Sequence, residues 1–382
     1  MSSSLIEILE ANSKAQVKAF LDVPYSLYQG QANWRPPLRF ERKEQLSQKK
    51  NPIAAGLDRQ LFIAKRGEDV VGRIAAFINP DHRALYNDDA GHFGYFDCEE
   101  NSETGQALLA AAMSFLKSKG AVKMIGPASH STNEESGLLI DGFDTPPVLM
   151  MPYGRPDYPK MFDDFGLEKA IDLLAFDADL HAGYPRPKMT QAMVKYAKTN
   201  PSITFRSMDM SRFREEVDMA MDIFNDAWSE NWGYIPFTPE QINHMAAEMK
   251  PLIHADGFRV GLIDGEPAAF IWMIPNLNEA IRDLDGKLFP FGWAKLIKRL
   301  KITGVKTARI PLMGIKKKYQ SQRAGLAVIA SLCEDVFETG RKRGYTHCEL
   351  SWVLETNKSM RKICEQASAV PYKTYRMYVK DI

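Results

Sequence analysis

The chain has 382 residues, which exceeds the usual size of one hydrophobic core and predicts two domains. Hydrophobic residues make up 45% and charged residues 25%, values that exclude a disordered or collagen-like chain. With 49 Lys and Arg against 48 Asp and Glu, the formal charge is +1, so the chain lacks the basic excess of nucleic-acid-binding proteins. We expect no nucleic acid partner.

The four cysteines are spread along the chain without CxxC spacing, which indicates neither a zinc knuckle nor a disulfide framework. We expect no bound metal and a reducing compartment. The best apolar run, at 107–116, is too short to cross a bilayer, and the N-terminal residues lack the pattern of a signal peptide. The sequence therefore predicts a cytoplasmic protein without stable membrane insertion, and it leaves the oligomeric state open.

One order of predicted elements occurs twice along the chain. Residues 61–79 and 258–276 each read as a β-hairpin, with turns at Gly67 and at Asp264-Gly265. Each hairpin is followed by a strand, a long amphipathic helix, a second strand, a helical patch and a terminal strand. The predicted strands after the hairpins are 92–100, 122–127 and 170–180 in the first copy and 307–315, 346–353 and 373–380 in the second.

A proline- and glycine-containing stretch at 181–190 separates the two copies. We therefore expect two α/β domains of one topology, covering 1–185 and 186–382. The long helices are predicted from about Ser102 to Lys119 and from about Gly325 to Gly340 or Gly344.

The turn between the second copy's strand and its helix carries a short motif. Gln322 to Ala327 reads Q-R-A-G-L-A and fits the pattern Q/R-x-x-G-x-G/A. A helix N-terminus presents unpaired N–H groups and favours negative charge, so small residues such as Gly325 and Ala327 suit the approach of a diphosphate. This segment resembles the acyl-CoA-binding loop of the GCN5-related N-acetyltransferases, the GNAT superfamily.

The resemblance implies two tandem GNAT-like domains, each a mixed, mostly antiparallel sheet flanked by helices, with acetyl-CoA or another acyl-CoA bound by the second. In this family the two strands flanking the motif's helix splay apart and admit the pantetheine, and an asparagine commonly starts the next helix. By this resemblance the cofactor-binding residues are Leu312, Met313, Ile315, Gln322, Arg323, Ala324, Gly325, Leu326, Ala327 and Asn357.

The first half has the element order without the motif. Its corresponding turn carries Glu99, Glu100 and Glu103, whose carboxylates would repel a diphosphate or compensate a helix dipole. We predict that this half does not bind coenzyme A. Its long loop at 126–159 is predicted to pack and to face the other domain, and two interpretations of its polar residues stay open: substrate contacts or self-capping turns. The residues concerned are Ser129, His130, Ser131, Asn133 and Glu134.

The candidate catalytic residues all lie in the second half of the chain. Glu349 lies in an apolar strand and is the candidate base, with an ion-paired structural glutamate as the alternative and Glu355 in reserve. Asn357 and Tyr375 complete the candidate set, with Tyr375 expected to reach the thioester. Many GNATs place a tyrosine that acts as the general acid seven residues after the asparagine, where this chain has Cys364. Because of that departure, the sequence does not decide whether the chain is catalytic.

Two further segments bear on the substrate. GNATs shape the acceptor site with their first two helices, and here the loop at 225–241 supplies Asn231, Trp232 and Tyr234 as candidate substrate-binding residues. An insertion at 278–302 contains a basic amphipathic helix. It favours a lid or a helix docked on the first domain over membrane-surface binding, which stays possible.

The leading interpretation is an acyl-CoA-dependent N-acyltransferase, acetylating a small-molecule or peptide amine. The second half would bind the cofactor, and the first half would shape the acceptor site. Two alternatives remain: a non-catalytic acyl-CoA-binding or sensing protein, and a Fem-like aminoacyl transferase, against which the neutral charge and the intact acyl-CoA motif both count.

Overall fold

A computed structural model describes residues 5–185 and 187–382. The chain divides into two compact units. Unit 1 comprises the chain up to Leu173 with Ile281–Gly292 and Lys373–Ile382, and unit 2 comprises Leu174–Ala280 and Trp293–Tyr372. The predicted division at 185/186 assigns the last strand to the second half, whereas these units assign Lys373–Ile382 to unit 1.

Strands form where β-branched and aromatic residues recur between turns. They are β1 (Ile6–Glu10), β2 (Asp58–Arg66), β3 (Asp69–Ile78), β4 (Ala90–Cys98), β5 (Lys123–Gly126), β6 (Leu138–Asp141), β7 (Glu168–Asp179), β8 (Ile203–Ser207), β9 (Phe258–Ile263), β10 (Glu266–Pro275), β11 (Thr307–Ile315), β12 (His347–Leu354) and β13 (Val370–Asp381).

The helices begin mostly after polar residues that can accept hydrogen bonds from the first turn. They are α1 (Lys14–Leu27), α2 (Arg39–Gln45), α3 (Pro52–Ala55), α4 (Pro80–Tyr86), α5 (Ser102–Ser118), α6 (Tyr158–Asp164), α7 (Lys188–Thr199), α8 (Phe213–Trp228), α9 (Pro239–Met249), α10 (Leu277–Ile281), α11 (Gly292–Lys298), α12 (Lys317–Gln320), α13 (Arg323–Lys342) and α14 (Lys358–Gln366).

The sheet of unit 1 has the order β1-β2-β3-β4-β5-β13, and β6 also pairs with β13. Its pairs are antiparallel except β4 with β5. Helix α5 packs its apolar stripe of Leu108, Ala112 and Leu116 on this sheet, in a core shared with Phe93 and Phe162. The chain's last strand thus completes the sheet of unit 1, where Tyr378 pairs with Gly126.

The sheet of unit 2 has the order β7-β12-β11-β10-β9-β8, with β7 contributing its residues from Leu174 onward. The β11–β12 pair is parallel, and the pairs formed by β8, β9, β10 and β11 are antiparallel. Helix α13 buries Val328, Leu332 and Val336. Val328 packs so closely on Gly261 that a Cβ there would lie 2.4 Å from the valine methyl.

The predicted repeat is confirmed. The order β1, α1, β2, β3, β4, α5, β5, α6, β7 matches β8, α8, β9, β10, β11, α13, β12, α14, β13. The helix predicted in the 278–302 insertion is present as α11, followed by a π-helical turn at Arg299–Thr303. Within the described residues, no helix combines the length and the apolar composition needed to cross a membrane.

Candidate functional site

The parallel strands β11 and β12 of unit 2 pair only over their first residues. The recorded register runs from Thr307 opposite His347 to Ile310 opposite Leu350, whereas β11 continues to Ile315 and β12 to Leu354. A β-bulge in β11, between its pairs with Ile274 and Trp272 of β10, marks the point of divergence. We call the region between the two diverging strand ends the strand opening.

The predicted pantetheine contacts lie on the diverging part of β11. Leu312, Met313 and Ile315 are each half-buried and pair with β10 on one side. The Met313 carbonyl already accepts a hydrogen bond from Trp228 Nε1 at 3.3 Å. The strand opening therefore presents backbone groups of β11 to which an extended ligand could hydrogen-bond. The carbonyl of Met313 already has one partner there, the indole N–H of Trp228.

Helix α13 begins beside the end of β11 without a side-chain cap. Its N-cap residue is Gln322, whose side chain does not cap the helix and instead donates through Nε2 to the Lys318 carbonyl at 2.7 Å. The first-turn N–H groups of Arg323, Ala324 and Gly325 therefore receive no acceptor from the N-cap side chain. Such a turn suits an anion, because its donors and the helix macrodipole act together.

The glycine of the motif has a specific structural role. A Cβ on Gly325 would lie 2.0 Å from the Tyr319 carbonyl oxygen, so only glycine lets the short helix α12 fold back on α13. Ala327 is fully buried and Leu326 is exposed. The backbone of this turn is thus held in place by its own packing.

Lysines next to this turn are ion-paired with nearby acids. Lys316 contacts Asp222 at 2.9 Å and Glu266 at 3.3 Å, and Lys318 also pairs with Glu266. Hydrogen bonds from Lys318 and Tyr319 lower the pKa of Glu266 to about 2. These pairs fix the turn, and they cancel most of the positive charge that the three consecutive lysines bring.

Arg323, the first residue of α13, places its guanidinium carbon 4.1 Å from the ring centroid of Tyr196 on α7. This contact fixes the guanidinium against α7. The first turn of α13 thus combines backbone N–H groups that lack a side-chain cap with an arginine at its first residue.

A buried polar cluster lies where β11 and β12 are still paired. Glu349 of β12 is 3% exposed and accepts hydrogen bonds from Ser351 through Oε1 and from Tyr372 through Oε2. Arg309 Nε, directly across on β11, lies 3.8 Å from Glu349 Oε1 and donates to Ser351 Oγ at 3.0 Å. The arginine compensates the buried carboxylate, as the burial of a charge requires.

Tyr372 connects this cluster to the surface of unit 2. Its side chain is half-buried, and its hydroxyl donates to the buried Glu349. A proton given to the Tyr372 oxygen could therefore be relayed, because the hydroxyl can pass its own proton to the Glu349 carboxylate. The position of Glu349 fits both interpretations given above. The ion pair with Arg309 suits a structural glutamate, and the hydrogen bond from Tyr372 suits a base.

The residues after β12 lie as the element order predicts. Asn357 is the N-cap of α14, and its Oδ1 accepts a hydrogen bond from Met360 N at 2.9 Å. Cys364, in the middle of the same helix, is completely buried, and burial raises the pKa of its thiol to about 12. This thiol is a small apolar packing group and a poor proton donor.

Sequence reasoning chose Tyr375 among the tyrosines of the last strand. Tyr375 is fully buried in unit 1, where it pairs with Leu139, so its predicted reach to the thioester stays a prediction. Tyr372, Arg309 and Ser351 contact Glu349, and sequence reasoning selected none of them. The available signals were Arg309 inside an apolar strand and Ser351 on the same strand face as Glu349.

The candidate acceptor residues follow α8. Tyr234 is buried beside Phe224, with ring centroids 5.9 Å apart, and its hydroxyl donates to Asn225; burial raises its pKa to about 12. Asn231 and Trp232 are half-buried in the same loop. Tyr234 thus anchors the loop, while Asn231 and Trp232 keep surface for a ligand.

Unit 1 contains a related opening that the chain itself fills. Strand β4 has a bulge at the corresponding place, and its pairing with β5 ends at His92 opposite Ile125. The chain after β5 stays against β4: Ala128 N donates to Phe93 O at 2.9 Å, and a Cβ on Gly94 would lie 1.8 Å from Ala128 O. The backbone at 127–137 therefore lies where unit 2 has its strand opening.

Polar residues of this loop form a buried cluster in unit 1. His130 is 1% exposed, its Nδ1 lies 3.1 Å from Glu134 Oε2, and its Nε2 lies 3.2 Å from the Tyr95 hydroxyl. Ser131 is buried, and its carbonyl accepts a hydrogen bond from Ser136. The loop is packed, as predicted.

The corresponding helix N-terminus in unit 1 is capped. Asn101 is the N-cap of α5, and its Oδ1 accepts a hydrogen bond from Glu103 N at 2.9 Å. Glu99 accepts hydrogen bonds from Arg66 at 3.0 Å and from Thr104 at 2.7 Å. A side-chain oxygen and two carboxylates therefore surround this turn.

Two curated relatives match nearly the whole chain. Protein YghO of Escherichia coli is 44% identical over 370 residues, which cover 97% of this chain and 94% of that protein. The bacterial ceramide synthase of Caulobacter vibrioides is 39% identical over 382 residues, which cover 99% of this chain and 98% of that protein. No protein-family model matches the chain.

Solved structures show the fold. A tandem GNAT protein from the clavulanic acid biosynthesis pathway matches with a TM-score of 0.57 and 11% identity, covering 99% of this chain and 98% of that one. A GCN5-related N-acetyltransferase from Sphaerobacter thermophilus matches with a TM-score of 0.55 and 11% identity, covering 98% and 95%. The chain has a tandem GNAT-like fold, as predicted.

Proposed function

The chain belongs to the family of protein YghO and the bacterial ceramide synthase, and we propose that it is an acyl-CoA-dependent N-acyltransferase of long-chain amines. The observation that carries this proposal is the uncapped first turn of α13 beside the strand opening of unit 2. A ceramide is an amide of a fatty acid with a long-chain amino alcohol, so the relative's name favours that class of acceptor.

Unit 2 offers the groups that an acyl-CoA requires. The N–H groups of Arg323, Ala324 and Gly325 would bind the diphosphate, and the positive charge of Arg323 would favour it. Backbone groups of Leu312, Met313 and Ile315 would hold the pantetheine, and Asn357 would contribute its Nδ2 donors, since its cap uses only Oδ1. Gln322, Leu326 and Ala327 complete the motif around that turn.

Glu349 and Tyr372 are the proposed proton-accepting pair. Bound acyl-CoA supplies a thioester carbonyl that a neutral amine can attack. An amine acceptor is an ammonium ion at neutral pH and must first lose a proton. We assign that transfer to the Tyr372 oxygen, which passes its own proton to Glu349 Oε2 along the existing hydrogen bond. Arg309 Nε lies 3.8 Å from Glu349 Oε1 and compensates the negative charge of the buried carboxylate.

The acceptor is proposed to enter beside the loop that carries Asn231, Trp232 and Tyr234. Tyr234 fixes the loop through Asn225, and half-buried Trp232 presents apolar surface suited to a hydrocarbon chain. We retain for unit 1 the proposed role of shaping the acceptor site. It would do so without a second acyl-CoA, because the loop at 127–137 already fills its opening.

The test is a reaction of the full-length protein with palmitoyl-CoA and sphinganine, following thiol release and the amide product by mass spectrometry. Acetyl-CoA replaces the long donor in one arm, and small and peptide amines replace sphinganine in others. We expect an amide from the long-chain pair and little from the others. Amide formed only from acetyl-CoA and a small or peptide amine would contradict the long-chain assignment while leaving the enzyme class intact.

A non-catalytic acyl-CoA sensor is the second candidate. Both Glu349 oxygens accept hydrogen bonds within the chain, from Ser351 and from Tyr372, and such internal bonding favours a structural role for the carboxylate. Calorimetry separates the two: tight acyl-CoA binding without turnover across the amine panel supports the sensor, and turnover excludes it. Specific tRNA binding at physiological salt, which we do not expect at a net charge of +1, would instead favour the Fem-like alternative.

A further inference from the structure

The segment from Trp293 to Lys306 in unit 2 exposes large apolar side chains. Trp293, Ile297 and Ile302 are 48%, 52% and 76% exposed, and they are three of the six large hydrophobic residues exposed in the described part of this unit. They come from α11 and the π-helical turn that follows it. We call Trp293–Lys306 the basic segment, for the charges described next.

The charge of the basic segment is entirely positive. It contains Lys295, Lys298, Arg299, Lys301 and Lys306 and no acidic residue, although the whole chain is nearly neutral. Lys295, Lys298 and Lys301 are exposed. Among the described residues, the lysines that precede α13 pair with acids, whereas Lys298 and Lys301 show no carboxylate partner. This local excess is complementary to an anionic surface.

The segment is anchored on its inner side. Arg299 donates to the Ala280 carbonyl at 2.7 Å, and Val305 is buried, while Leu296 and Leu300 are half-buried. Trp293 and Ile297 are one helical turn apart, so they lie on the same side of α11. The outer surface therefore presents a tryptophan and isoleucines together with lysines, held on a fixed base.

We propose that the basic segment docks unit 2 on the surface of an anionic lipid bilayer. Trp293, Ile297 and Ile302 would enter the headgroup region, and Lys295, Lys298 and Lys301 would bind anionic headgroups. Tryptophan suits this depth because its ring is apolar and its N–H is polar. The docking stands independently of the proposed chemistry, and a long-chain amine would be found at such a surface.

The test is co-sedimentation of the full-length protein with vesicles of phosphatidylcholine alone or mixed equally with phosphatidylglycerol. We expect binding to the mixed vesicles only, weakened by added salt. The variant K295Q/K298Q/K301Q should lose at least about tenfold in vesicle affinity, because each lysine contributes to attraction near an anionic surface. The variant W293S/I297S should also lose affinity, by removing the inserted side chains.

Matched controls use exposed residues elsewhere in unit 2. The variant K188Q/K195Q/K362Q removes the same number of exposed lysines, and V370S/M189S removes exposed apolar side chains. Both should bind vesicles as the unaltered protein does. Equal losses in the control and segment variants would overturn the proposal, and so would equal binding to neutral and anionic vesicles or no binding at all.

Two further measurements distinguish lipid docking from self-association and from donor binding. If a second copy of the chain covers the segment, W293S/I297S will shift the protein to a smaller species in size-exclusion chromatography, and that result contradicts lipid docking. Palmitoyl-CoA affinity by calorimetry should be unchanged in K295Q/K298Q/K301Q. Loss of that affinity would place the lysines at the donor instead, whereas failure of acyl transfer alone would leave the docking proposal intact.

Discussion

The N-terminal turns of α5 and α13 occupy equivalent places in two copies of one fold and satisfy their N–H groups differently. In unit 1, Asn101 caps the helix and Glu99 and Glu103 lie beside it. In unit 2, Gln322 turns its side chain back to Lys318 and leaves the turn uncapped. Because the fold is the same, the capping residue, rather than the topology, indicates which copy can receive an anion.

The two units also differ beside these turns, where the parallel strands of each sheet end. Unit 1 places its own backbone against β4 at Ala128, whereas in unit 2 the recorded pairing of β11 with β12 ends at Ile310. In unit 1 the chain's own groups thus occupy the positions at which we propose that unit 2 binds acyl-CoA. The following changes would break or sharpen this contrast.

The largest effect should come from deleting Lys373–Ile382. This removes the strand that pairs with β5 and β6, so unit 1 would lose a strand of its sheet. We expect insoluble protein or rapid proteolysis within unit 1, measured by limited digestion and mass spectrometry. Deletion of Ile382 alone is the control and should leave the cleavage pattern unchanged; a soluble, protease-resistant deletion product would contradict the arrangement.

Replacing Glu349 with Gln should lower kcat by about 100- to 10,000-fold, the usual contribution of a general base. The amide keeps the shape and can still accept one of the two hydrogen bonds, while its NH2 can only donate to the other hydroxyl; palmitoyl-CoA affinity should not change. Tyr372→Phe should lower kcat in the same direction. The control Glu355→Gln should retain activity, and a fully active Glu349→Gln would assign Glu349 to the structure alone.

The variant Gln322→Asp should give α13 the kind of cap that α5 has. An aspartate at the N-cap satisfies first-turn donors and repels a diphosphate, so palmitoyl-CoA affinity should fall about 30-fold or more. Thermal stability should hold or rise. The control Gln322→Asn supplies a capping oxygen without a charge and should weaken palmitoyl-CoA binding less. Affinity is measured by calorimetry. If neither variant changes it, the first turn of α13 does not bind the donor.

The reciprocal change in unit 1 should affect stability only. Asn101→Ala removes the cap of α5 and should cost about 1 kcal/mol in the free energy of unfolding. Palmitoyl-CoA affinity should stay the same, because unit 1 does not bind the donor in this scheme. A second binding event in calorimetry of this variant would show that the cap was what excluded the ligand.

The smallest effect concerns Glu266, whose bonds to Lys318 and Tyr319 hold the turn before α13. The pKa of Glu266 is lowered to about 2, so folding favours its ionised form. Its contribution to the stability of the fold is therefore present above the ordinary pKa of a glutamate and is lost as the pH falls toward 2. Glu266→Gln should flatten the stability–pH curve across that acid range. It should weaken donor binding less than Gln322→Asp, and an unchanged curve would show that Glu266 does not hold the turn.

The sequence was sufficient to predict the element order, because hairpin turns and helical periodicity are local signals. The motif's position at the start of α13 was also predictable. The charges near the two helix N-termini could not be interpreted from the sequence alone: Lys316 and Lys318 pair with Glu266, and Glu99 pairs with Arg66. Charge counts cannot show which ions neutralise each other across a fold.

The contacts that sequence reasoning missed are long-range. Arg309 and Glu349 meet because two strands pair in parallel register, and Tyr372 reaches Glu349 from the chain after α14. The unit membership of Tyr375 likewise depends on which sheet the final strand joins. No local pattern encodes such pairings, since they depend on topology and on the packing of distant residues.

The position of the final strand has a consequence for the order of folding. The pairing of Tyr378 with Gly126 and of Val379 with Ile125 joins residues that precede unit 2 in the chain to residues that follow it. Domains otherwise tend to fold from the N-terminus while the chain is being made. Here the edge of β5 stays without β13 while all of unit 2 is synthesised. The nascent chain is therefore exposed to aberrant strand pairing at that edge until β13 emerges from the ribosome.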